Sequence, residues 1–97
     1  MNETEVRKHA EGHAQAMAQG DMARAALDLT EEARAKAPGV MKSVPREIDG
    51  AEVTTVAQAG ELWIAHIVYR GEGGATTVAS SWEDRDGKVM IIDLEVL

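Results

Sequence analysis

The chain divides near Pro45 into a first half patterned at helical spacing and a second half patterned as strands. Val6, Ala10, His13, Ala14 and Met17 recur every three or four residues, which puts them on one face of a helix predicted from Thr4 to about Gln19. Gly20 suits the left-handed position after a helix. Asp21 then suits the N-cap of a second helix, whose apolar side carries Met22, Ala25, Ala26 and Leu29. Thr30-Glu31-Glu32 opens a third helix, with its acids placed favourably for the helix dipole. Pro38 is expected to interrupt that helix, leaving a further short turn from Pro38 to Met41 before Pro45 ends the helical region.

Beyond Pro45 the segments are rich in β-branched residues and punctuated by glycine. Strands are predicted over Glu47–Gln58, Glu61–Arg70, Ala75–Arg85 and Lys88–Val96, with Asp86-Gly87 a strong two-residue hairpin signal. Helices first and a strand meander second predict an α+β fold. It forms a single domain over residues 1–97, with helices over about 4–44 packed on a curved four-stranded antiparallel meander over about 47–96.

Turn lengths give the faces of that sheet. A two-residue turn at Asp86-Gly87 opposes Trp82, Ser80 and Val78 to Ile91, Asp93 and Glu95, and a loop at Gly71–Gly74 opposes Trp63 to Trp82 and His66 to Ala79. One face then holds Leu62, Ile64, His66, Val68, Met90, Ile92, Leu94 and Val96, and is expected to meet the helices. The other mixes Trp63, Ala65, Ile67, Tyr69, Trp82, Val89 and Ile91 with Ser80, Asp93 and Glu95. One layer of helices cannot cover both faces. A homodimer through Trp63, Ile67, Tyr69, Trp82 and Ile91 is therefore expected, the alternative being a curled sheet partly hidden by the third helix.

Composition narrows the partners. The formal charge is −7 and the ten basic residues are scattered, so neither nucleic acid nor an anionic membrane is expected. Cysteine is absent, which excludes thiol catalysis, disulfides and zinc–thiolate sites. The polar, acidic start and the lack of a long apolar run lead to a cytoplasmic expectation. Aromatic residues are limited to Trp63, Trp82 and Tyr69, so aliphatic side chains must build the core.

The Ala-rich helix closing in Ala18-Gln19-Gly20-Asp21, the helix that follows it, and the Trp82–Val89 hairpin resemble the nuclear-transport-factor-2-like superfamily. That resemblance spans most of the chain. It implies a curved sheet wrapped on helices as an open cone, often dimeric through the sheet, in proteins ranging from ketosteroid isomerases and polyketide cyclases to simple binders. The chain is short for that group, and the acidic catalytic residues of the isomerases match no position here.

Three histidines carry the remaining chemistry. His9 and His13 lie one helical turn apart, but Ala10 stands where a zinc-protease pattern needs glutamate, so no metal site is assigned and no cofactor is expected. His13 falls on the apolar stripe of the first helix and His66 on the sheet face expected to meet it, so both could enter a shared cavity as proton carriers. The leading expectation is a dimeric binding or accessory domain without catalysis, holding a small apolar ligand near His13, Met17, Ile64 and His66. The alternatives are a small lyase, isomerase or cyclase using His13 or His66 on a carbonyl-containing ligand, and a protein-interaction module using the Trp63/Trp82 face.

Overall fold

A computed structural model describes residues 1–97. Three helices, α1 (Glu3–Ala18), α2 (Met22–Ala26) and α3 (Glu31–Met41), precede four strands, β1 (Gly50–Ala59), β2 (Leu62–Gly71), β3 (Gly74–Arg85) and β4 (Lys88–Val96). The strands form one antiparallel meander in the order β1-β2-β3-β4. This is the α+β arrangement that the change of pattern at Pro45 predicts. No helix is long and apolar enough to cross a membrane.

Side-chain caps set the helix starts. Asn2, not Thr4, caps α1, its Oδ1 accepting from the Glu5 amide at 2.9 Å. Asp21 caps α2 through the Arg24 amide, and Thr30 caps α3 through the Ala33 amide, both as the sequence predicts. Pro38 does not interrupt α3, which runs through it to Met41. Proline removes one donor from the helix, but Arg34, whose carbonyl loses that bond, and Pro38 are both exposed, so water satisfies the freed group.

The hairpins are fixed by turn chemistry. Asp86 and Gly87 both take positive φ, 55° and 83°, the two-residue turn that matches the strand twist. Arg85 pairs with Lys88 across it, and at the β2–β3 end Trp63 pairs with Trp82 and His66 with Ala79. Those pairings are the predicted ones. Farther along β4 the register slips: Ser80 opposes Leu94 and Val78 opposes Val96, because β4 carries one extra residue, Ile92, between Ile91 and Asp93.

That bulge overturns the predicted choice of sheet face. It moves Asp93 and Glu95 off the tryptophan face and brings Leu94 and Val96 onto it. The tryptophan face, now nearly free of acids, is the one that packs on the helices. Trp82 and Ile91 are fully buried, Ile67 and Tyr69 are at most 3% exposed, and Trp63 packs half-buried against the same core. Ser80, the polar residue remaining there, accepts a bond from the Trp82 indole Nε1–H and donates to the Ala65 carbonyl, each at 2.9 Å. The expected dimer contacts at Ile67, Tyr69, Trp82 and Ile91 are therefore core, and the sheet offers no open tryptophan surface.

The helices close over this face at different places. Val6, Ala10, Ala14 and Met17 bring α1 down on β1 and β2, while α3 lies beside β4. Between α2 and α3 the chain runs briefly parallel to β4: the Ile91 amide donates to the Asp28 carbonyl at 2.7 Å and the Thr30 amide to the Ile91 carbonyl at 2.9 Å. Those two bonds cover part of the free edge of β4 and fix where Asp28 stands.

Candidate functional site

An open cavity of about 370 Å³ lies between the helices and the inner sheet face. Its presence follows from side-chain size. The helices offer Ala25, Ala26 and Ala37, the chain has no Phe, and short side chains cannot fill the space above a curved sheet. Met17, Leu29, Val44, Val78 and Leu94 complete much of the apolar wall. Of its fifteen lining residues, twelve are hydrophobic, so the three polar ones, His13, Tyr69 and Arg34, determine what chemistry it can do.

His13 is 5% exposed and faces Asp28, with Nδ1 3.0 Å from Oδ2. An ionised carboxylate only accepts, so the proton on that side sits on Nδ1 and Nε2 of the neutral ring is left as an acceptor. No hydrogen bond within the chain reaches Nε2, and no buried side-chain nitrogen or oxygen lacks a partner, so Nε2 is not sealed in the core. The ring also meets Trp82 edge-on at 6.3 Å between centroids, which restricts its rotation.

Asp28 is held from three sides. Burial raises its carboxyl pKa, but the bonds and charges of His13 and Arg24 outweigh burial and bring it below the ordinary 3.8. Arg24 Nη1 reaches the same Oδ2 at 3.0 Å from one turn earlier in the chain. The backbone of Asp28 is tied to β4 through Ile91. The pair is thus a carboxylate-oriented imidazole on an apolar wall, the geometry of a general base that takes its proton on Nε2.

Tyr69 adds a donor. Its hydroxyl makes no hydrogen bond within the chain, and burial pushes its pKa far above the ordinary 10.0, so at neutral pH it is a phenol. It can therefore donate to a ligand oxygen in the cavity. Arg34, on α3, donates from Nη2 to the Ala26 carbonyl at 3.0 Å and lies exposed on the solvent side.

Of the residues expected to line a ligand site, His13 and Met17 line this cavity. Ile64 and His66 do not: they share the opposite sheet face with Ser81 and Ala79, so His13 and His66 never meet in one site. His9 lies with its ring 6.2 Å from Trp82, and no group of three metal-ligating side chains converges anywhere in the chain. Asp28, Arg34 and the pocket role of Tyr69 were not legible. Asp28 lies between Leu27 and Leu29 with no motif around it, and its proximity to His13, fifteen residues away, arises only when α2 folds back on α1.

No family model and no curated protein matches the sequence. Among solved structures, an NTF-2-like protein of unknown function from Burkholderia xenovorans LB400 is similar, with a TM-score of 0.64 and 24% identity over 99% of this chain and 85% of that one. Helices packed on one face of a four-stranded antiparallel sheet, together with that similarity, give this chain the nuclear-transport-factor-2-like fold.

Proposed function

We propose that this chain is a small-molecule-binding domain whose cavity takes a mostly apolar ligand carrying one or two oxygens. The observation behind this reading is the cavity itself: about 370 Å³, apolar on twelve of its fifteen lining residues, with His13 and Tyr69 as polar groups. Pockets for small organic molecules have this composition, apolar walls to supply affinity and a few placed polar groups to set orientation. The test is calorimetric titration of the protein with 1-decanol, compared with Ala37→Trp, which puts an indole into the space from α3. Saturable binding that Ala37→Trp abolishes supports the reading. Equal heats in the two proteins would overturn it.

A second reading is favoured by one further observation, the His13–Asp28 pair. Binding alone does not need a carboxylate-oriented imidazole beside a phenol donor; a proton transfer next to a carbonyl does. In this reading Nε2 of His13 takes a proton from the carbon next to a ligand carbonyl. The Tyr69 hydroxyl donates to the oxygen on which negative charge grows. Deuterium exchange into an apolar cyclic ketone, followed by NMR, would detect this, and an exchange rate unchanged in His13→Gln would exclude it.

The homodimer is proposed on the outer sheet face, where Leu62, Ile64, Val68 and Met90 are half-buried on the side away from the helices. A second copy of this chain is the occupant proposed, since one apolar patch can meet its own copy about a twofold axis. Ile64→Lys is expected to convert a dimeric mass in light scattering to a monomeric one. A wild type that is monomeric at the highest soluble concentration would reject the dimer.

A further inference from the structure

The cavity's third polar residue says which end of the ligand stays outside. Arg34 is the one cation lining the cavity, and no carboxylate lines it. Some of the chain's ten basic residues pair with its acids. Among them Arg24 is bound to Asp28, Lys36 to Asp93, and Arg85 to Glu32 and Glu83. Arg34 instead donates one N–H to a neutral carbonyl, that of Ala26, which itself lines the cavity. That bond holds the guanidinium across the opening between α3 and α2 and leaves its other donors without partners in the chain.

We infer that the ligand is an amphipathic monoanion, an apolar body bearing one carboxylate, bound with the carboxylate on Arg34 at the mouth and the body against Val78, Leu94 and Met17. This rests on the ligand-binding reading above and names the class of molecule for the same site. A guanidinium fork presents two parallel N–H groups that a carboxylate can accept together, and an alcohol cannot use both. The body supplies most of the affinity by leaving water. The exposed ion pair therefore acts chiefly as a selector, with an expected preference of about three- to tenfold for acid over alcohol.

The experiment is calorimetry with two probes of one chain length, decanoate and 1-decanol, at neutral pH and moderate salt, on the wild type, Arg34→Gln and Arg34→Lys. The expected result is that the wild type prefers decanoate and Arg34→Gln loses that preference while binding decanol unchanged. Arg34→Lys, a point charge without the fork, is expected to keep part of it. Wild type binding both probes equally, or Arg34→Gln keeping the full preference, would overturn the carboxylate assignment and leave the cavity reading standing. Wild type binding neither probe would overturn the cavity reading, and this inference with it.

Discussion

Asp28 and His13 show how much a site can depend on two side chains that nothing in the sequence connects. Each is buried, and each satisfies the other; removing one leaves a buried polar partner exposed to loss of its bond. Asp28→Asn is expected to destabilise the fold by about 1–3 kcal/mol, the cost of breaking a partly buried charged hydrogen bond, read from urea unfolding curves. His13→Gln keeps a donor near Asp28 and is expected to retain the fold while losing any proton-transfer activity. If Asp28→Asn unfolds at the same urea concentration as wild type, the pair is not structural. Trp82 makes the complementary point, since it is fully buried with its indole N–H satisfied by Ser80. Trp82→Ala is expected to cost about 3–5 kcal/mol, enough to unfold much of so small a domain at room temperature by circular dichroism.

At the scale of elements, the connections hold more information than the strands. The linker after α3 passes close over the end of β2, and a Cβ at Gly71 would run into the Glu47 carbonyl oxygen and the Pro45 ring. Gly71→Ala is therefore expected to destabilise by about 1–3 kcal/mol through overpacking against backbone that cannot easily move, seen as a lowered Tm. An equal Tm would mean that the linker is free to shift. The extra residue at Ile92 is a second case. Deleting it should give an uninterrupted ladder that keeps Asp93 opposite Ser81 and Leu94 opposite Ser80, so the cavity's Leu94 wall is expected to remain. The α3 helix shows what local rules permit, because Pro38 is tolerated where the bond it removes faces water.

For the whole molecule, three carboxyls with lowered pKa values bear on pH stability: Asp28 beside His13 and Arg24, Glu32 beside Arg85, and Asp93 beside Lys36. A group whose folded pKa is depressed stabilises the fold fully above its unfolded value and stops doing so as pH falls through the folded one. Stability is thus expected to be level above roughly pH 5 and to decline as the pH falls below about 4, where unfolded carboxyls bind protons first. Glu32 and Asp93 are exposed and contribute little, so Asp28 should dominate. The gap in stability between wild type and Asp28→Asn should therefore close in acid, and a gap independent of pH from 3 to 7 would contradict this.

The sequence by itself determined the fold class, the order of the elements, the caps at Asp21 and Thr30, and the turn at Asp86-Gly87, because these depend on neighbours within a few residues. It also placed His13 and Met17 on the stripe that meets the cavity, through helical spacing alone. It could not determine which sheet face turns inward. Both faces are apolar, and the balance was tipped by one bulged residue that exchanges Asp93 and Glu95 for Leu94 and Val96, a detail with no sequence signal. The burial of Ser80 was likewise hidden, since its partners are a carbonyl of β2 and an indole two residues away. The site followed the same division. Asp28 and Arg34 join His13 and Tyr69 only because α2 and α3 fold back over the sheet, a long-range arrangement that no local pattern encodes.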